Sequence, residues 1–315
     1  MSYVKHIGYS RVSFLLATVV IAGALVAPPA FVAGPQAANV ANRMVVLNVR
    51  VTDPSGKAVG NLPQSSFQIT EDGVPQKISL FVSDKVLLRY GLMIDNSGSL
   101  RSQFSHVLRT ASTIVNNNEP EDETFLIRFI SSDKIETVAE LTTDKAKLIE
   151  GIDSLYVEMG QTALIDAIYL GADYLVKQKA DDRNVRRKAL VLITDGEERI
   201  SYYRKEDLFR LLGSSGIQVF IVALTDELKP DKREKAIPFV AQLANETGGK
   251  AFFPSSVTEL DNISQEIIND VRRQYLIGYV PAGGDSKKDF HKIQVSITEN
   301  PNQEKRIAVT HVLQL

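Results

Sequence analysis

Five side chains of this sequence have the chemistry to hold a divalent metal ion: Asp95, Ser97, Ser99, Thr162 and Asp195. The first three form an Asp-x-Ser-x-Ser segment after an apolar run, the threonine precedes a helical pattern, and the second aspartate ends another apolar run. Carboxylate and hydroxyl oxygens suit a hard cation, and Mg²⁺ needs few charged ligands because it keeps several of its waters. The hydroxyl-rich set therefore favours Mg²⁺, with Mn²⁺ or Ca²⁺ as alternatives.

The elements that would position these residues alternate between strands and helices. Four nearly continuous apolar runs are typical of strands buried on both faces: Val86–Ile94, Thr124–Ile130, Lys188–Thr194 and Ile217–Leu224. Apolar residues at helical spacing predict a helix starting near Leu100 and helices over Lys145–Leu155, Ala163–Val176, Lys205–Leu212, Ala236–Glu246 and Leu260–Arg273. This order predicts an α/β fold with a doubly wound, mostly parallel sheet flanked by helices. Ligands bind such sheets at the carboxyl ends of the strands, where the candidate residues lie.

Short β segments precede and follow this α/β region. Residues 43–84 contain the predicted strands Met44–Thr52, Ser66–Thr70 and Gln76–Val82, and residues 275–315 contain Tyr275–Val280, Lys292–Thr298 and Arg306–Leu313. Neither flank has enough strands to be stable alone. We therefore expect the two flanks to pack together as one small all-β unit, with residues 85–274 inserted between them.

The N-terminal segment, residues 1–38, is predicted to be a signal peptide. A basic start precedes the apolar run Val12–Val26, and small residues follow, with cleavage expected between Ala27 and Ala41. An uncleaved membrane anchor over residues 12–32 is the alternative. Both interpretations place the rest of the chain outside the cytoplasm, in the periplasm or secreted, and no later segment is apolar enough to span a membrane.

Composition excludes several classes of function. The chain has 315 residues, with 36 Lys and Arg against 38 Asp and Glu and a net charge of −2, and it contains no basic block. A nucleic-acid partner is therefore not expected. The absence of cysteine excludes disulfides, thiolate metal sites and a cysteine nucleophile. No H-E-x-x-H, G-x-S-x-G, P-loop or G-x-G-x-x-G motif occurs in the sequence, so no enzymatic activity is predicted.

The five metal-site candidates, in this order and at these element ends, resemble the metal-ion-dependent adhesion site of von Willebrand factor type A domains. The resemblance covers roughly Lys85–Gln274. The flanking segments Phe67–Gly73 and Tyr275–Tyr279 resemble a group of bacterial exported proteins related to that domain and common in acidobacteria.

The resemblance implies a role for each residue. Ser97, Ser99 and Thr162 would bind the metal ion through their hydroxyls, directly or through one water, and Asp95 and Asp195 would act largely through water. A partner protein would then complete the coordination with an Asp or Glu carboxylate. The implied function is adhesion or protein–protein interaction at the cell envelope.

Neighbouring residues are candidates for supporting roles. Tyr202 and Tyr203 are expected on the metal face as anchors for a partner, with packing at the rim as the alternative. Asp166 is interpreted as a structural acid, and Glu197 and Glu198 are expected in a solvated loop.

Other interpretations of the five candidates remain open at this stage. Asp95–Ser99 and Thr162 could simply cap helices, and Asp195 with the glycine after it could form a turn. The corresponding alternative function is a metal-independent structural or assembly component of the envelope. A metal-dependent hydrolase or phosphatase, with Asp95 as nucleophile or ligand, is less favoured because Ser97 stands where aspartyl-phosphate enzymes have a second aspartate.

Overall fold

The structure is a computed structural model that describes residues 44–53, 57–83, 87–179, 186–282, 291–297 and 307–314. The predicted signal peptide and the alternative anchor lie outside the described residues. Within the described ranges, no helix has both the length and the apolar character needed to cross a membrane.

The described residues form strands and helices in the expected alternation. The strands are β1 Val45–Thr52, β2 Phe67–Glu71, β3 Val74–Gln76, β4 Ile78–Ser83, β5 Leu87–Asp95, β6 Glu123–Phe129, β7 Ile135–Thr142, β8 Arg186–Thr194, β9 Gln218–Ala223, β10 Lys250–Phe252, β11 Gln274–Tyr279, β12 Ile293–Ile297 and β13 Ile307–Gln314. The α-helices are α1 Phe104–Asn116, α2 Lys145–Asp153, α3 Leu164–Lys177, α4 Lys205–Ser215, α5 Pro230–Glu246 and α6 Val257–Arg272.

The central sheet has six strands in the order β10-β9-β8-β5-β6-β7. All neighbouring strands are parallel except β7, which runs antiparallel to β6 at one edge. β5 lies between β8 and β6, so the ends of β5 and β8 meet at one edge of the sheet. The predicted α/β class with a mostly parallel sheet is confirmed.

Helices cover both faces of this sheet. Leu92 and Ile94 pack in one hydrophobic cluster with residues of α1, α2 and α6, whereas Met93 packs in a second cluster with residues of α3, α4 and α5. Successive strand residues point to opposite faces, and both faces must be apolar when both are covered. The nearly unbroken apolar runs of the sequence follow from this arrangement.

The two flanks share antiparallel sheets, which confirms the expected small β unit. β1 pairs with β11 and with β13 in a sheet of order β13-β1-β11-β4, and β12, β2 and β3 form a second sheet. Their shared core contains Phe67, whose ring centroid lies 4.7 Å from that of Tyr275 and 5.5 Å from that of Phe81. The Tyr275 hydroxyl donates to the Val59 carbonyl at 2.9 Å.

The predicted strand Gln76–Val82 corresponds to β4, which begins at Ile78, and Gln76 belongs to β3, a short strand that was not predicted. β3 pairs with β2 across the two-residue turn Asp72-Gly73, and both turn residues have positive φ (49° and 83°), as a type I′ hairpin requires. β4 instead pairs with β11. The side-chain pattern reports burial but not which strand is the hydrogen-bonded neighbour, so the change of partner near Lys77 was not visible in the sequence.

Two helix starts also differ from the prediction. The helix expected near Leu100 begins at Phe104, after a short 3-10 turn over Gly98–Leu100. The helix expected from Ala236 begins six residues earlier at Pro230, a residue favoured in the first turn. The early residues of α5 are polar and largely exposed, so they carry no apolar period that would mark them as helical.

Candidate metal centre

The carboxyl edge of the central sheet brings the two candidate aspartates to neighbouring strands. Asp95 is the last residue of β5 and Asp195 directly follows β8, and these strands pair in parallel with Ile94 opposite Ile193. Both aspartates are buried, with exposures of 0% and 2%. Two buried acids at adjacent strand ends are therefore held together by the topology of the sheet.

Asp95 is fixed by a hydrogen bond on each carboxylate oxygen. Its Oδ1 accepts from the backbone N–H of Ser97 at 2.9 Å, and its Oδ2 accepts from the Thr194 hydroxyl at 2.7 Å. The Thr194 hydroxyl in turn accepts from the N–H of Gly196 at 3.0 Å. Thr194 was not among the predicted site residues, although a hydroxyl directly before Asp195 at a strand end was a signal that could have indicated it.

The two serine hydroxyls lie side by side. Ser97 Oγ and Ser99 Oγ are 2.9 Å apart, with Ser97 buried and Ser99 exposed. Two hydroxyl oxygens at this distance are hydrogen-bonded to each other, and either can be the donor. The pair places two neutral oxygen atoms side by side, and both Mg²⁺ and Ca²⁺ prefer oxygen ligands.

Thr162 is held at the same edge of the sheet, before the first residue of α3. Its side chain is buried, and its carbonyl accepts from the N–H of Arg199 at 2.9 Å. The next residue, Ala163, donates its N–H to the carbonyl of Ile130 at 2.7 Å. Thr162 is therefore anchored between the segment after β6 and the segment after β8.

Asp195 has one carboxylate oxygen that is satisfied and one that is not. Oδ1 accepts from the N–H of Glu197 at 2.9 Å, while Oδ2 is buried without a hydrogen-bond partner among the described residues. A buried acceptor left in this state is costly unless water or an ion satisfies it. Burial, and next the negative charge of Asp195, raise the pKa of Asp95 to about 7.

These features fit a small divalent cation. Two buried carboxylates that repel each other are stabilised by a positive charge between or beside them, and the free Oδ2 of Asp195 is the oxygen available to it. Ser97, Ser99 and Thr162 would hold the ion through their hydroxyls. Asp95 would act through water, as the resemblance implies: each of its oxygens accepts one hydrogen bond and keeps a second lone pair for a metal-bound water. In the described part of the chain, no group of three or more His, Cys, Asp or Glu residues is placed to hold a metal.

Glu197 and Glu198 are not in a solvated loop, so that expectation was wrong. Glu197 is only 8% exposed and pairs with Arg199 and, at 2.6 Å, with Lys232. Glu198 accepts from the N–H of Ile165 at 2.8 Å, which satisfies a free donor in the first turn of α3. The loop after β8 therefore folds back onto the start of α3 instead of extending into solvent.

Asp166 supports this same loop, in agreement with its interpretation as a structural acid. Its two carboxylate oxygens accept from the N–H groups of Tyr202 and Tyr203, both at 2.8 Å. The Tyr203 ring stacks on Tyr169 with centroids 3.7 Å apart, whereas Tyr202 is 84% exposed. Tyr203 therefore packs within the protein, and Tyr202 is the one of the two that is open to a partner.

The raised pKa of Asp95 predicts how the stability of the metal-free protein depends on pH. The folded-state pKa of about 7 exceeds the ordinary value of 3.8, so the native state binds more protons than the unfolded state between these pH values. We expect the free energy of unfolding to fall as pH rises through this window, by up to about 1.4 kcal/mol per pH unit. Urea denaturation in EDTA between about pH 5 and pH 8 measures it.

Asp95→Asn is the control for this pH dependence. The amide cannot ionise, so the fall in stability attributable to Asp95 should vanish in the variant. A slope that persists unchanged in Asp95→Asn would show that other groups cause it.

Comparison with known proteins gave one family and a set of similar structures. Residues 91–266, more than half of the chain, match the family model of the von Willebrand factor type A domain. Comparison with curated proteins gave no significant match.

Three solved structures illustrate the structural similarity. An aerotolerance-related membrane protein from Bacteroides fragilis is 21% identical, with 58% of this chain and 98% of that chain covered and a TM-score of 0.46. The conserved hypothetical protein BatB from Bacteroides thetaiotaomicron is 18% identical over 57% of this chain and 97% of that chain, with a TM-score of 0.44. A von Willebrand factor type A protein from Catenulispora acidiphila is 11% identical over 85% of this chain and 74% of that chain, with a TM-score of 0.49.

Proposed function

Because this chain belongs to the von Willebrand factor type A family, we propose that it is a binding protein whose divalent metal site captures a carboxylate of a protein partner. The observation that carries the proposal is the buried Oδ2 of Asp195, which has no hydrogen-bond partner among the described residues and belongs to a carboxylate whose charge interacts with that of Asp95. When bound, the ion supplies a coordination position for an external carboxylate oxygen. We propose Mg²⁺ as the ion, with Mn²⁺ or Ca²⁺ as alternatives.

The protein's own residues would hold and orient this site. Thr194 and the backbone of Ser97 keep the Asp95 carboxylate in place, so its charge faces the site without rearrangement. Exposed Ser99 lies at the outer side, where a partner can approach. A preformed site of this kind loses little conformational entropy when the partner binds.

The burial and the internal hydrogen bonds of Asp95 favour a binding function over catalysis. A nucleophilic or general-base role needs a carboxylate oxygen that is free to reach the substrate. Both oxygens of Asp95 accept internal hydrogen bonds, and the residue is fully buried. We therefore propose that the chain is not an enzyme. Metal-dependent turnover of a generic phosphate ester that is lost in Asp95→Ala would contradict this.

The cellular setting is proposed from the N-terminal sequence. The apolar run before residue 38 supports export, with the mature chain in the periplasm, secreted or attached to the membrane by an uncleaved segment. In that setting, adhesion or protein–protein interaction at the cell envelope is the proposed role.

Calorimetry with Mg²⁺ and Mn²⁺ on the full mature chain tests the site, with and without acetate as a small carboxylate. Wild type should bind, and acetate should strengthen binding because it completes the coordination. Thr162→Ala should weaken binding by at least about tenfold, since it removes a hydroxyl ligand. The matched control is Thr113→Ala, which removes a helix-surface hydroxyl from α1 and should bind as wild type does.

A folded wild-type chain that binds neither ion, even with acetate present, would contradict the proposal. In that case the five residues would be capping and turn residues, and a metal-independent structural component of the envelope would become the better account.

A further inference from the structure

Exposed apolar side chains are concentrated around the candidate metal centre. The described residues include seven large hydrophobic side chains that are exposed, and four of them lie on the two loops that flank the site. We call these four the apolar rim: Tyr156 (56% exposed), Met159 (75%), Ile200 (54%) and Tyr202 (84%). The other three are scattered elsewhere: Val74, Val176 and Phe253.

Two rim residues belong to the loop between α2 and α3, which is tied to the Asp-x-Ser-x-Ser segment. The buried side-chain amide of Asn96 donates to the backbone carbonyl of Tyr156 at 2.8 Å, and the backbone carbonyl of Asn96 accepts from the N–H of Glu158 at 2.9 Å. A Cβ added to Gly98 would lie 2.8 Å from the Sδ of Met159. The Met159 thioether therefore lies against the backbone between the two metal-site serines.

The other two rim residues belong to the loop after β8. The N–H of Arg199 bonds to the carbonyl of Thr162, so the neighbouring Ile200 lies beside that proposed ligand. The carbonyl of Ile200 accepts from the Ser132 hydroxyl at 3.0 Å. Tyr202 is held through its backbone by the Asp166 carboxylate, as described above. Both sides of the site are thus bordered by apolar groups on anchored loops.

The aromatic members of the rim are positioned before any partner arrives. The Arg128 guanidinium lies over the Tyr156 ring, 5.1 Å from its centroid. Tyr202 packs edge-on against Tyr203 at 5.5 Å, and Tyr203 stacks on Tyr169. Rigid aromatic anchors give contact area at a low entropic cost, which is why they recur in recognition surfaces.

The charged groups of these loops are already paired within the protein. Arg128 pairs with Glu136 at 2.9 Å, and Lys134 pairs with Glu158. Arg199 pairs with Glu197. These three cations are therefore already balanced and offer little to a strongly acidic partner segment. The apolar rim is left as a surface for uncharged contacts on these two loops.

We propose that the apolar rim is the second half of the partner site, and that the partner presents an Asp or Glu carboxylate flanked by large apolar side chains. This inference rests on the proposed function, because the carboxylate is the group that reaches the ion. Single exposed apolar residues are ordinary, but several exposed apolar side chains on the loops beside one polar centre are typical of protein interaction sites. Met159 is suited to such contacts since its flexible thioether adapts to different side chains.

A displayed peptide library with a fixed central Asp tests the inference, with capture by the full mature chain in Mg²⁺ and in EDTA. Wild type should capture peptides only in Mg²⁺ and should enrich Leu, Ile, Met or Phe beside the Asp. The double variant Met159→Ser/Ile200→Ser should keep Mg²⁺-dependent capture, lose that enrichment, and bind the enriched peptides at least about tenfold more weakly. Val74→Ser/Val176→Ser is the matched control, since it removes two exposed apolar side chains away from the site.

The outcomes distinguish a failure of this inference from a failure of the function on which it rests. Mg²⁺-dependent capture without apolar enrichment, or an enrichment that survives in Met159→Ser/Ile200→Ser, would overturn the rim inference and leave the proposed metal site intact. Capture that is equal in EDTA, or no capture by wild type, would overturn both. Equal melting temperatures of the three proteins establish that the variants are folded.

Discussion

Asp195→Asn is expected to remove Mg²⁺ binding and, at the same time, to stabilise the metal-free protein. The substituted amide keeps an oxygen that can accept from the Glu197 N–H, but it places a nitrogen where the unpartnered Oδ2 now lies. The amide nitrogen can neither bind the ion nor accept a hydrogen bond from a metal-bound water at that atom. We expect Mg²⁺ affinity to fall by at least about 100-fold.

The gain in stability concerns the metal-free protein, in which no bound cation balances the charge of Asp195. In the metal-free protein the Asp195 charge lies close to Asp95 and opposes its ionisation. Removing that charge relieves the repulsion, so the variant should unfold at higher urea concentration than wild type in EDTA near pH 8. Adding Mg²⁺ should stabilise wild type and leave Asp195→Asn unchanged.

Asp173→Asn is the matched control for Asp195→Asn. It also removes one negative charge, but from a surface pair with Lys177 on α3. Surface pairs of this kind contribute little, so both stability and Mg²⁺ binding should remain near wild type. Retained Mg²⁺ affinity in Asp195→Asn, or a lower stability without metal, would argue against the two-carboxylate site.

Asp270→Ala is expected to destabilise the fold by about 3–5 kcal/mol, because it removes a buried carboxylate that forms an ion pair with the buried guanidinium of Arg50. Arg50 of β1 donates to Asp270 of α6 at 2.7 Å, with the two side chains only 10% and 1% exposed. This ion pair joins the flanking β unit to the last helix of the α/β region. Urea denaturation of the variant and wild type at neutral pH measures the loss.

The double variant Arg50→Met/Asp270→Leu separates the cost of removing one partner from the net stabilisation that the ion pair provides. One oxygen of Asp270, Oδ1, is buried without a partner among the described residues, and burial raises the pKa of this carboxyl although Arg50 opposes the shift. The pair is therefore imperfectly satisfied. Apolar residues of similar size should recover most of the stability lost in Asp270→Ala. A double variant as unstable as the single one would show that the pair itself holds the two parts together.

Much of the fold could be predicted because the spacing of apolar residues within a segment indicates which of its side chains are buried. Continuous apolar runs predicted strands covered on both faces, and β5 and β8 are such strands. The expectation that the two flanks form one β unit is confirmed by the pairing of β1 with β11 and β13. β3 was not predicted because it has only three residues, two of them exposed, and therefore shows no apolar alternation.

The candidate site likewise has features that the sequence predicted and features that depend on distant residues. The residue types at positions 95, 97, 99, 162 and 195, and their places at element ends, were visible in the sequence, and their use in metal binding stays a prediction. Thr194, which holds Asp95 across 99 residues of sequence, was not predicted. Nor was the burial of Glu197, which depends on Lys232 35 positions away.

By itself, the sequence determined which segments are buried strands and which are helices. Apolar side chains recur along a segment with the period of the strand or helix that the segment forms. The tertiary structure alone decided which strand ends are neighbours and which apolar side chains border the site. It also decided which oxygen of Asp195 has no hydrogen-bond partner in the described part of the chain. These features depend on contacts between residues far apart in the chain, and the pattern of residues within one segment does not indicate such contacts.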